Sequence, residues 1–168
     1  MNKHFARVGV AVALTLAAAS ATNAADTDSQ TVQITIPNIS QIDVAAGPIA
    51  LTVAVPAAGS APTAVTATST YAITTNASED GKALQASIGS NITATGVTLN
   101  VKTATPGTGT TNADFQPLSS TAITLVSDMQ GTSAASVVLT YQLVAGLNAL
   151  PTGASSLDRT VTYTIVDQ

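Results

Sequence analysis

Arg159-Thr160-Val161-Thr162-Tyr163-Thr164-Ile165-Val166, near the C-terminus, alternates apolar and hydroxylated residues almost without a break. On an extended backbone Val161, Tyr163 and Ile165 face one way and Thr160, Thr162 and Thr164 the other, because successive Cβ atoms of a strand point to opposite faces. In a helix the same residues would be scattered around the axis. Their β-branched side chains would also lose rotamer freedom against the preceding turn. The segment reads as a half-buried β-strand, and the pattern repeats back along the chain.

Val137, Leu139, Tyr141 and Leu143 share a face between Ser136 and Val144, and a further strand covers Ala122 to Val126. After Gly96, Val97, Leu99 and Val101 turn inward while Thr98, Asn100 and Lys102 turn outward. Leu84, Ala86 and Ile88 alternate after Asp80-Gly81, a dipeptide that tolerates positive φ and suits a tight hairpin. Alternating pieces lie around Val65 and at Tyr71-Ala72-Ile73-Thr74. Ile49, Leu51, Val53 and Val55 line one face of an expected strand, and Ile39, Ile42 and Val44 form a short extended piece before Gly47-Pro48. Val32, Ile34 and Ile36 alternate with Thr31, Gln33 and Thr35 until Pro37, which cannot donate to a ladder. The stretches 56–62 and 103–112 are loops of small residues, threonine, glycine and proline. Eight or nine strands without a convincing amphipathic helix predict an all-β fold, a two-sheet antiparallel immunoglobulin-like sandwich. A strand broken by proline and resumed nearby suits an edge chain that crosses between sheets.

Residues 1–24 have the layout of a secretory signal peptide. Lys3 and Arg7 form a positive start, Val8 to Ala19 an apolar centre, and Thr22-Asn23-Ala24 a small-residue cleavage site. The apolar run is shorter than the ~20 residues that span a bilayer. No second such run follows, so no transmembrane segment is expected after signal removal. The expected product is a single β-sandwich domain, 25–168, exported to the periplasm, cell surface or extracellular space. Loss of the signal leaves Lys82, Lys102 and Arg159 against nine acids. With no basic patch to displace counterions from phosphates, nucleic acid is not an expected partner. There are no cysteines, yet a domain of this length buries an ordinary core without disulfides.

The mature chain contains no histidine or tryptophan, so general-base chemistry near neutral pH would need a strongly perturbed carboxylate or lysine. Asp26, Asp28, Asp43, Glu79, Asp80, Asp114, Asp128, Asp158 and Asp167 are scattered over turns and strand ends, where Asp is an ordinary turn residue. The chain is therefore not expected to be an enzyme, and no catalytic residue, cofactor or metal ligand is assigned. Asn76 to Gly81 gathers several oxygen donors but lacks the acid spacing of a dedicated calcium loop. Asn38, Asn76 and Asn91 stand in glycosylation sequons, a pattern short enough to recur by chance in a Thr/Ser-rich chain. Tyr71, Tyr141 and Tyr163 occupy apolar-phase positions. They are expected to pack between the sheets with their hydroxyls reaching the rim.

The signal peptide, the early alternating strand, the Thr/Ala/Gly-rich loops and the closing Thr-Val-Thr-Tyr-Thr-Ile together resemble bacterial exported immunoglobulin-like sandwich proteins, among them surface-fibre and spore-coat-U-like pilus subunits. The chain departs from the many that carry a disulfide. The resemblance implies an external scaffold or adhesive subunit, and no functional residue is carried over. From the residues themselves, a polar lead followed by Val32, Ile34 and Ile36 is what a donor strand needs to fill a groove in a neighbour. The same residues also suit the first strand of the chain's own sandwich. The expected function is a structural or adhesive surface protein, a candidate fibre or matrix subunit that partners itself or other surface proteins. The alternative is a module that binds extracellular polysaccharide.

Overall fold

The computed structural model describes residues 27, 29–76, 80–152 and 157–168, so residues 1–24, read above as a signal peptide, and Asp26, Asp28 and Glu79 lie outside it. By its backbone contacts the chain divides into residues 1–35 and 36–168. The described residues of the first unit contain no helix or strand. The second unit holds nine strands: β1 (Ser40–Val44), β2 (Val65–Thr75), β3 (Lys82–Ile88), β4 (Val97–Thr103), β5 (Thr110–Thr111), β6 (Gln116–Pro117), β7 (Ile123–Met129), β8 (Thr132–Ala145) and β9 (Val161–Asp167). They form two antiparallel sheets, ordered β1-β2-β8-β4-β6 and β5-β7-β3-β9. The fold is thus the expected all-β two-sheet sandwich.

The core lies between the inward faces that alternation picked out. Leu84, Ala86 and Ile88 of β3, Val101 of β4, Leu125, Val126 and Met129 of β7, and Val137, Leu139 and Tyr141 of β8 are buried together with Tyr71 and Ile73. Two long ladders carry an extra residue. Between Tyr71/Val137 and Ile73/Ala134, β8 spends one residue more than β2, and Ser136 takes φ 63° there. Between Lys82/Met129 and Leu84/Val126, β7 does the same with Asp128 at φ 55°. Both are β-bulges, where an unpaired residue bends the strand and increases its twist.

Three expectations need correction. Residues 31–36 form no strand, and the first ladder residue is Ser40. Ile49 to Val55 is no strand either; Leu51 and Val53 are half-buried, but the segment joins no ladder. Period-two polarity records that one side of a chain is apolar, and it is silent on whether that side is sheltered or the backbone finds a neighbour. Finally, Asp80-Gly81 does not close a hairpin, because β2 and β3 belong to different sheets. Gly81 has φ +77°, and a Cβ there would come within 3.1 Å of Asp128 Cα, so the position demands glycine for both conformation and space.

Candidate functional site

Two features of the described chain have no partner inside the fold. The first is the segment with Val32, Ile34 and Ile36, which are 73%, 79% and 77% exposed. Three aliphatic side chains at period-two spacing stand in water, where single exposed apolar residues are common but an ordered stripe of them is informative. Where this segment enters the sandwich, its course is fixed. The Asn76 side chain donates to the Pro37 carbonyl (2.7 Å) and accepts from the Ile39 N–H (3.0 Å), and the Asn76 N–H donates to the Ile39 carbonyl (3.2 Å). Asn76 thus clamps the residues just before β1. The adjoining residues 77–79 lie outside the description.

The second feature is a cleft of about 480 Å³ between the two sheets. Ile42 and Val44 of β1, Leu51, Leu99, Tyr141 and Tyr163 contribute to its walls, with Arg159, Thr160 and Val161 at one end. It lies beside β9, which among the described residues ladders with β3 alone and packs near β1. Of the other three edge strands, β5 and β6 have two residues each, β6 contains Pro117, and β1 has five residues and carries Asp43. β9 has seven residues in unbroken register with β3 from Ile88/Val161 to Lys82/Asp167. It carries no proline, and its single charge, Asp167, is engaged by Lys82. A regular edge with a single charge at its end is a template for another strand unless something covers it.

The tyrosines lie in the core as expected, but their hydroxyls do not simply reach the rim. Tyr141 and Tyr163 share a hydrogen bond of 2.6 Å across the two sheets at the cleft, and Tyr71 bonds with buried Thr103 Oγ1 at 3.2 Å. Burial pushes all three phenols above their ordinary value near 10. For Tyr163 the neighbouring Tyr141 hydroxyl adds to the rise. For Tyr71 and Tyr141 a hydrogen bond partly offsets it. They therefore stay protonated and act as neutral hydrogen-bonding groups.

Alternation alone passed over one polar cluster. Lys82 is 1% exposed, and its ammonium donates to Asp167 Oδ1 and to Asn38 Oδ1 (3.0 Å). A buried ammonium needs such partners. The signal was present in the phase of the strands. Lys82 is in step with Leu84, Ala86 and Ile88, Asp167 is in step with Tyr163 and Ile165, and the two face each other across the β3–β9 ladder. The cluster joins the residues preceding β1 to β3 and β9 of the second sheet.

Among the described residues no three of His, Cys, Asp or Glu gather as a metal-holding group, and Asp26, Asp28 and Glu79 lie outside them. Nor, among them, is any helix long and apolar enough to cross a membrane. The sequon asparagines all have structural bonds. Asn38 accepts from Lys82, Asn76 clamps the entry to β1, and Asn91 Oδ1 accepts the Ser120 N–H at 2.6 Å. Set beside known proteins, the chain matches no family model, no curated protein and no solved structure.

Proposed function

We propose that this protein is an exported structural or adhesive subunit of the cell surface, which assembles into fibres or matrix by adding residues 31–36 to the sheet of a neighbour. The observation that carries this reading is the exposure of Val32, Ile34 and Ile36 at 73%, 79% and 77%, in strand phase and outside every ladder among the described residues. In strand addition, main-chain hydrogen bonds supply affinity and alternate side chains fill pockets. The immunoglobulin-like surface subunits that the sequence resembles agree in style with this role. Removing residues 25–37 tests it. The shortened protein keeps all nine strands and is expected to stay folded but lose self-assembly in size-exclusion chromatography and electron microscopy. Unchanged assembly would exclude strand addition.

The polysaccharide-binding alternative has weaker support. Stacking on sugar needs exposed rings, whereas Tyr71 and Tyr141 are buried, Tyr163 is half-buried and Phe115 lies beneath the Lys102 ammonium at 4.7 Å. Glycan-array binding that vanishes on substitution of loop Asn or Asp residues would restore it.

A further inference from the structure

We infer that the cleft between the two sheets is a binding site for a small amphipathic acid, an aliphatic chain ending in one carboxylate, whose head is held by Arg159 and the paired hydroxyls of Tyr141 and Tyr163. The site is built from residues 36–168 alone and needs no second copy of the chain, so it stands or falls independently of strand addition.

The core closes unevenly. Leu84, Val101 and Leu139 are fully buried, whereas Ile42 and Val44 of β1, Leu99 of β4, and Val161 and Tyr163 of β9 pack against that core and stay half-buried. These half-buried side chains converge on the cleft, and Leu51 joins them there. The cleft's volume of about 480 Å³ falls inside the range of roughly 300–1,000 Å³ common to small-molecule sites, which are mostly apolar with a few convergent polar groups. Removing aliphatic surface from water is favourable, so a hydrocarbon chain laid along these walls completes the packing that the sheets leave open.

The polar groups of the cleft select the other end of the ligand. Its lining holds one cation, Arg159, and no acid. The other cations among the described residues are engaged, Lys82 by Asp167 and Lys102 by the Phe115 ring. Arg159 bonds to main-chain carbonyls, Nη1 donating to Asp158 (2.8 Å) and Nη2 to Asn91 (3.5 Å), contacts that hold the guanidinium in place without neutralising it. Its Nε is buried with no hydrogen-bond partner among the described residues, and a buried N–H left unpaired is costly. One hydroxyl proton of Tyr141 and Tyr163 is spent in their mutual 2.6 Å bond, and the other is left to donate. Donors without a facing carboxylate call for a negatively charged acceptor. A carboxylate brings two acceptor oxygens, and charge-assisted bonds from a guanidinium to it are short and strong.

Isothermal titration calorimetry of dilute protein comprising residues 25–168, at neutral pH with octanoate, octanol and acetate, tests the assignment. Octanoate is expected to bind, octanol to bind more weakly, and acetate, which offers the head alone, to give no heat over the same concentrations. Arg159→Gln should weaken octanoate roughly 10- to 100-fold, the loss of one charge-assisted interaction, and leave octanol unchanged as evidence that the cleft is intact. Tyr163→Phe, which keeps the ring, should weaken octanoate by a smaller factor. Amide chemical shifts should move on adding octanoate at Leu99, Tyr141 and Val161. No octanoate binding, equal affinity of the unsubstituted protein for octanoate and octanol, or unchanged octanoate binding by Arg159→Gln would overturn the inference. Shifts confined to Val32, Ile34 and Ile36 would also overturn it, by placing the ligand on the exposed stripe. So would binding that appears only after residues 25–37 are deleted, because the chain's own segment would then be the occupant of the cleft.

Discussion

Replacing Ile34 by alanine separates a donated strand from a strand of the chain's own sandwich. In the isolated chain Ile34 is 79% exposed, so the substitution removes little packing. A surface change of this kind falls within about 0.5 kcal/mol of neutral. With a few degrees of melting temperature per kcal/mol for a domain of this size, the monomer's Tm should move by no more than about 2 °C. In the proposed assembly the side chain passes from water into the contact with a neighbour's sheet. Full burial of an isoleucine is worth about 1.5–3 kcal/mol, and most of that area starts exposed, so about 1–2 kcal/mol per contact is lost. At 1.4 kcal/mol for each factor of ten, the critical concentration for filament formation should rise roughly 5- to 30-fold. Sedimentation of filaments over a concentration series reads the second quantity, and differential scanning calorimetry of dilute monomer reads the first. Were Ile34 part of its own core, truncation would cost about 2–5 kcal/mol and lower the monomer's Tm by many degrees. That result, or an unchanged critical concentration, would refute the reasoning.

Further outcomes follow from the other parts of the fold. Asp167→Ala removes one of the two oxygen partners of the buried Lys82 ammonium and should destabilise by about 1.5–3 kcal/mol in urea titrations. Asp167 is itself 66% exposed, so the loss stays below that of a fully buried pair, and Lys82→Met, which removes the charge instead of stranding it, should be close to neutral. The three phenols have folded-state values above the unfolded one. Their stabilisation is complete below pH ~10 and is lost as pH rises past it, so phenolate absorbance should appear together with unfolding, later than in free tyrosine. Phenolate rising well before loss of the far-ultraviolet strand signal would contradict this. At Gly109 a Cβ would lie 2.6 Å from the Ser127 carbonyl oxygen at φ +91°, so Gly109→Ala should lower the melting temperature sharply. Gly59→Ala, at φ +86° with open space around it, should cost only the backbone strain of about 1 kcal/mol.

Much of the sandwich was legible because β3, β4, β8 and β9 each bury one face. Alternation in Leu84/Ala86/Ile88 or Val161/Tyr163/Ile165 reports such burial directly. What alternation does not carry is pairing. Thr31–Ile36 and Ile49–Val55 have the same period as β9 yet join no ladder, because a ladder depends on a neighbour's backbone and not on the segment's own side chains. β2 looked like two pieces, since Thr66 to Thr70 is mostly polar, but pairing with β8 carries one continuous strand through it. β5 and β6, at two residues each, are too short to leave a pattern. Asp80-Gly81 announced a turn correctly, but local turn chemistry does not say which sheet the next strand joins. At the candidate site, Val32, Ile34 and Ile36 were visible as a stripe. The cleft was not, because Ile42, Leu51, Leu99, Tyr141 and Tyr163 come together only through the crossing of the two sheets.

Amide hydrogen exchange over residues 31–36, measured in dilute monomer and in assembled protein, bears most directly on the account. Rapid exchange in the monomer and slow exchange in the assembly is the predicted result. Slow exchange of 31–36 in the monomer, or equally rapid exchange in both states, would contradict it.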